Sequence, residues 1–230
     1  VSNEIIGTSA DDYSVSLGRE DLIKLGAGDD TIYLSSSDVF GGRLVALNTT
    51  TADRISLEGM TRFSSVIDGD EDVDTIYLTD ESNGDAFFLH DSYSGLHESV
   101  TALEDGFGRE TVARVISIET INAGDGDDII DLTSPTFDMN GVGVTLNGEA
   151  GNDTLWAAEG DDNLNGGAGD DVLFGGEGND VFIGGIGADV FEFVSSENVQ
   201  RDTIEDYSVG DKLKFYLKQG ESELSDYNVV

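Results

Sequence analysis

From Gly148 the chain reads GEAGNDTLW, AAEGDDNLN, GGAGDDVLF, GGEGNDVFI and GGIGADVFE, five consecutive nonapeptides without an insertion. A fixed short period of this kind constrains the fold more than any composition figure. One unit cannot bury its apolar residue alone, so units must stack on their neighbours to make a core. The sixth positions are Asp153, Asp162, Asp171, Asp180 and Asp189, and the eighth are Leu155, Leu164, Leu173, Phe182 and Phe191. A weaker register opens the chain, where Asp12, Asp21 and Asp30 are nine apart and the last lies in LGAGDDTIY. Two isolated units, GDEDVDTIY around Asp74 and AGDGDDIID around Asp128, complete the set.

The chemistry of the unit follows from its residue types. Glycines at the first, second and fourth positions let six residues curl tightly and turn carbonyl oxygens to one side. The last three form a brief strand with position eight inward and positions seven and nine outward. Two units make one coil, which predicts that turns two units apart are neighbours. Their Asp side chains then lie at strand spacing, roughly 4.8 Å. Carboxylates at that distance repel unless a cation sits between them, and Ca²⁺, which accepts 6–8 oxygens in flexible geometry, suits this better than Mg²⁺. The predicted pairs are Asp153 with Asp171, Asp162 with Asp180, and Asp171 with Asp189. Asp12 with Asp30 is a further pair, although Ala10 replaces the fourth-position glycine.

Charge agrees with this reading. The chain has 48 acidic against 11 basic side chains among 230 residues, a net charge of −37, so nucleic acid and anionic membrane surfaces are repelled. No apolar run approaches the ~18 residues of a membrane span. Absence of Cys excludes disulfides, Cys-ligated zinc and thiol nucleophiles together. The chain begins at Val1 and ends at Asn228, Val229 and Val230, which reads as a piece of a longer polypeptide.

Units such as GGAGDDVLF and GGEGNDVFI resemble the glycine- and aspartate-rich nonapeptide of the RTX (repeats-in-toxin) proteins, GGxGxDxUx with U apolar. The resemblance covers residues 148–193 closely, and 7–34 and 119–132 more loosely. It implies an all-β fold: a right-handed parallel β-roll, or β-solenoid, with Ca²⁺ ions in rows along both edges. By the same similarity each ion is held by sixth-position Asp and by glycine-turn carbonyls: Gly151, Gly160, Gly167, Gly169, Gly176, Gly178, Gly185 and Gly187, with Asp74 and Asp128 from the isolated units. The stretch DVFEFVSSENVQRDTIEDYSVGDKLKF looks like the cap of such rolls, and the similarity makes Asp202 and Asp206 ligands of a last ion. Export by a type I secretion apparatus of a Gram-negative bacterium is also implied, with folding by calcium outside the cell.

The expected organisation is degenerate amino-terminal coils at 1–34, an irregular β segment at 35–122 with an isolated repeat near 67–78, the roll at 123–193, and a carboxyl-terminal cap at 194–230. Within the irregular part LVALNTT, DRISLEG and DAFFLHD read as strands, and VTALED with TVARVIS as a hairpin. SGLHESVTAL alone competes as a helix. These segments are either decorated coils of the same solenoid or an inserted ligand-binding unit. Asp68, Asp70 and Asp72 begin like an EF-hand loop, but Val73 and Thr79 stand where Gly and Glu are needed. His90 and His97 lack an HExxH spacing, and Ser92 and Ser94 lack a GxSxG elbow, so no catalytic role is expected and the chain is read as a non-enzyme.

Trp156 and Phe174, both at position nine, should stack on the outer face, covered by Tyr207, Phe215 and Tyr216 of the cap or serving as a ligand platform. The favoured function is a calcium-binding module, binding several Ca²⁺, of a large secreted cell-surface adhesin. The alternatives are a carbohydrate- or protein-binding adhesion module and the tail of a secreted enzyme. A monomer with neither nucleic-acid binding nor membrane insertion is expected.

Overall fold

An apolar residue at the eighth position of each nonapeptide forces short strands that face a common core, and the glycine turns between them reverse the chain. The computed structural model describes residues 4–16, 22–34, 60–62, 66–79, 82–90, 113–134, 136–137, 139, 141–194 and 200–216, and the short strands at 38–39, 44–46 and 54–56. Among the described residues every regular element is a strand.

Three sheets carry the architecture. Sheet B contains eight parallel strands in chain order: Tyr13–Ser16, Thr31–Leu34, Thr75–Tyr77, Thr120–Asp125, Thr145–Ala150, Asn163–Ala168, Val181–Ile186 and Thr203–Ile204. Sheet C runs through Asp85–Phe88, Ile129–Asp131, Thr154–Trp156, Val172–Phe174, Val190–Val194 and Lys212–Tyr216. It starts at Thr61–Arg62, with Asp38–Val39 antiparallel at its edge. The four-stranded sheet A holds Glu4–Ile6, Leu22–Ala27, Val66–Glu71 and Val115–Ile116. The chain alternates between A and B in the first coils, passes twice through A, B and C in turn from Val66 to Asp131, and alternates between B and C in the last coils. Sheet B is therefore continuous from Tyr13 to Ile204 while its partner changes from A to C.

Register gives the length of each coil. Tyr13 pairs with Thr31, exactly two nonapeptides on, and so do Thr145 with Asn163 and Asn163 with Val181. Between these stretches the coils are longer, from Thr31 to Thr75, Thr75 to Thr120 and Thr120 to Thr145, and the last, from Val181 to Thr203, is slightly longer again than two units. The two-unit coil predicted from the nonapeptides thus holds where the repeats are contiguous. Elsewhere additional chain leaves and re-enters the same ladder.

The core is one row of apolar side chains from each sheet. Leu155, Leu173 and Phe191 of sheet C face Leu146, Leu164 and Phe182 of sheet B, all at most 1% exposed. Thr154, Trp156, Val172 and Phe174, at positions seven and nine, are half-buried on the outer face, as period-two alternation requires.

The non-repetitive strands largely belong to this stack. Val66–Glu71 and Asp85–Phe88 join sheets A and C as ordinary parallel strands, and the Leu44–Ala46 and Arg54–Ser56 segments form their own antiparallel pair. Of the hairpin expected from VTALED and TVARVIS only residues 113–117 are described, and there Val115 and Ile116 pair in parallel with Ile67 and Asp68. VTALED, the helix candidate SGLHESVTAL, His97, Ser92, Ser94 and Asp21 lie outside the described residues. The cap also differs from expectation. Lys212–Tyr216 continues sheet C beside Val190–Val194, with Phe215 stacked on Phe193 at 5.3 Å and Tyr207 near Phe191 at 6.3 Å. Among the described residues it lengthens the ladder instead of folding across Trp156 and Phe174, since its alternating LKF pattern suits pairing at the open edge.

Candidate metal centres

Each turn is shaped by backbone crowding before any ligand is considered. Gly169 has φ of 146°, and a Cβ there would lie 1.7 Å from the carbonyl oxygen of Gly151 in the turn one coil earlier. First-position glycines meet a different limit. A Cβ on Gly166 would lie 2.3 Å from Oδ2 of Asp171, on Gly175 2.0 Å from Oδ2 of Asp180, and on Gly184 2.3 Å from Oδ2 of Asp189. These glycines keep open a small cradle beside one carboxylate oxygen.

The other oxygen of each carboxylate is already engaged. The amide of Asp153 donates to Oδ1 of Asp171 at 2.8 Å, and that of Asp171 to Oδ1 of Asp189 at 3.0 Å. Asp162 donates likewise to Asp180 at 3.0 Å and Asp12 to Asp30 at 2.6 Å. All four predicted pairs are therefore direct neighbours. Asp128 and Asp74 are in the same arrangement, through Asp128 to Asp153 at 2.8 Å and Asp30 to Asp74 at 2.9 Å.

Oδ2 is left without a partner. In Asp30, Asp74, Asp128, Asp153, Asp162 and Asp171 this oxygen is buried and accepts no hydrogen bond, and all six residues are at most 1% exposed. An unsatisfied buried acceptor costs about 1–3 kcal/mol, more when charged. A buried Leu or Phe returns about 1.5–3 kcal/mol. A coil without a cation is thus close to balance, and a divalent ion beside Oδ2 removes the deficit. The residues present fit Ca²⁺: hard oxygen donors, a glycine-lined space, and no nitrogen or sulfur ligand. Among the described residues no three acidic or imidazole side chains form one cluster. The remaining ligands of a 6–8-coordinate ion must then come mainly from turn carbonyls, and those of Glu149, Gly151, Gly167 and Gly169 lie in the same stacked turns.

Electrostatics records the same strain. Burial, opposed by the backbone hydrogen bond and reinforced by neighbouring carboxylates, raises Asp128 and Asp162 to about 8. The same causes raise Asp74, Asp153 and Asp180 to about 7, and Asp171 to about 6. Asp189 and Asp202 are also pushed up, chiefly by burial.

The closing segment supplies two residues anticipated as ligands of a last ion, Asp202 and Asp206, and one that was not, Asp211. Asp202 accepts the amide of Asp180 at 3.1 Å. Asp206 uses both oxygens on glycine amides, from Gly184 at 2.9 Å and Gly185 at 2.7 Å. Asp211, missed in the sequence, accepts the amide of Asp189 at 3.1 Å. Asp85, also missed, donates its amide to Oδ1 of Asp128. The available signal was Asp followed two residues later by an apolar residue: Asp85 with Phe87, Asp211 with Leu213.

Fifth-position residues make a second, exposed ladder. Asn152 accepts from the amide of Asp170 at 2.8 Å, Asp170 from Ala188 at 2.9 Å, and Asp161 from Asn179 at 2.8 Å. These hydrogen bonds hold the Asp161 carboxyl below its usual range. These outward acids are exposed, and they also tie adjacent turns together.

Trp156 and Phe174 stack at 4.7 Å, tilted by 46°. His90 is buried, with Nδ1 3.1 Å from Ser134 Oγ and its ring edge-on to Phe137.

A family model described as the RTX calcium-binding nonapeptide repeat matches in four copies, over residues 5–38, 118–133, 145–173 and 156–191. No curated protein matches the chain. Repeats of this family bind several Ca²⁺ ions. The matched residues are coils that stack buried carboxylates with a free oxygen, and on that ground these stretches are RTX calcium-binding nonapeptide repeats.

Proposed function

We propose that this chain is the calcium-dependent folding module of a large, exported cell-surface adhesin, without catalytic activity of its own. It would pass through a type I secretion apparatus unfolded and close its coils outside the cell. Support comes foremost from the six buried carboxylates that each carry one oxygen without a partner. When bound, calcium supplies positive charge between stacked carboxylates. The chain's own residues do the rest: sixth-position amides fix each carboxylate, first-position glycines leave room beside it, and inward Leu and Phe close the coil.

Calcium concentration then decides the state of the chain. A site with Kd of ~10⁻⁴ M, within the range of extracellular modules, contributes about 2.7 kcal/mol at 100-fold excess of ion. A few such sites approach the whole stability of a domain. Far-ultraviolet circular dichroism during a calcium titration is the direct test. We expect a disordered spectrum in chelator and a β spectrum with the ion; a β spectrum indifferent to chelator would overturn the reading.

A further inference from the structure

The stacked carboxylates form two columns, and they differ in continuity. Beside sheet C the column is Asp85, Asp128, Asp153, Asp171, Asp189 and Asp211, with every amide donating to the next carboxylate. Beside sheet B it begins with Asp12, Asp30 and Asp74, whose last amide donates to Oε2 of Glu119 at 2.8 Å. The next place is taken by Val144. Its amide donates to Oδ1 of Asp162 at 2.7 Å, as an Asp in that place would, and the column resumes through Asp180 and Asp202.

Val144 offers no side-chain oxygen. It is 2% exposed and packs in the apolar core. The turn before Glu119 is unsuited as well, because Ile116 ends one strand and Thr120 begins the next, leaving no room for a glycine loop. This is also the level at which sheet A ends, Val115–Ile116 being its last strand. On either side of the gap the nearest Asp, Asp74 and Asp162, has a buried Oδ2 without a partner. The gap therefore separates two sets of donors and does not end the donors altogether.

We propose that the calcium row beside sheet B is severed at Val144 into two rows that fill independently, one on Asp12, Asp30 and Asp74 and one on Asp162, Asp180 and Asp202. The row beside sheet C is unbroken. This rests on the calcium reading above. A carboxylate inside a row lies between two ions and couples them, since the first ion fixes an oxygen donor for the second. An isopropyl group transmits nothing of that kind.

Counting ions by native mass spectrometry of the folded, calcium-loaded chain tests the division. Val144→Asp restores a carboxylate between Glu119 and Asp162 and should raise the count by at least one ion, whereas Val144→Ala should leave it unchanged. A folded Val144→Asp chain with the parental count overturns the proposal. Because an added buried acid could prevent folding, Asp180→Val and Asp202→Val give a second comparison. Asp180 lies within its row and should cost two ions, while Asp202 lies at the end and should cost one. Equal losses would overturn the coupling argument. A parental chain holding no calcium at millimolar ion overturns the calcium reading itself, whereas a loaded parent with an unresponsive gap overturns the division alone.

Discussion

Asp171 and Asp162 occupy the same place in the same nonapeptide, yet their neighbours differ. Asp171 stands between the carboxylates of Asp153 and Asp189, while Asp162 has Asp180 on one side and Val144 on the other. Asp171→Ala should therefore raise the calcium midpoint of folding more than Asp162→Ala, by up to one further site, about 2–3 kcal/mol at saturating ion. Calcium titrations of both variants followed by circular dichroism check this; equal midpoints would contradict it. The difference was partly legible in the sequence. Periodicity places Asp153, Asp171 and Asp189 in one line because each lies two nonapeptides from the last. Asp85 and Asp211 could not be placed that way. The coils from Asp85 to Asp128 and from Asp189 to Asp211 are both longer than two units, so the count that finds the others passes over them. The first-position glycines were read as turn formers, but their relation to Oδ2 depends on side-chain placement that no spacing encodes.

Turns and strands were unequally readable. A strand is announced by one apolar residue at position eight, and this located Leu155, Leu164, Leu173, Phe182 and Phe191 in the core. Where chain is inserted between coils, local pattern could suggest strands but not their partners. The pairing of Val115 with Ile67 joins residues whose intervening segment has no period to count. Turn sequence also varies within a fixed backbone. Glu149 holds the second position with φ of 73°, a left-handed conformation that its equivalents Gly167, Gly176 and Gly185 adopt without a Cβ. Its side chain is exposed. Glu149→Gly should stabilise the loaded roll by about 1 kcal/mol through relief of that strain. Thermal unfolding at constant calcium measures it, and a lower melting temperature would show that the glutamate has a further role.

At the scale of the molecule, the net charge of −37 separates into acids inside the coil edges and acids on the surface. The inside ones respond to protons in the sense opposite to a salt-bridged Asp. Their folded-state values, about 6 for Asp171 and about 8 for Asp128 and Asp162, lie above the ordinary 3.8. Between these limits the folded chain binds more protons than the unfolded one, so calcium-free stability rises as pH falls through 8 to 6 and is fully gained below 3.8. Chelated protein taken from pH 8 to 5 should gain β signal, and its calcium midpoint should rise because protons occupy the same oxygens. Loss of β signal over that range would refute this. The column hydrogen bonds have one more consequence. In every link the earlier coil gives the amide and the later coil gives the carboxylate. The stack therefore has a polarity, like a chain of hooks and eyes. A cut at its carboxyl end leaves amide donors beside an open strand edge, whereas a cut at its amino end leaves carboxylates to which water donates and cations bind readily. The two ends are unequal as places to stop, and Asp202 and Asp211 are the residues that make the carboxyl end a workable one.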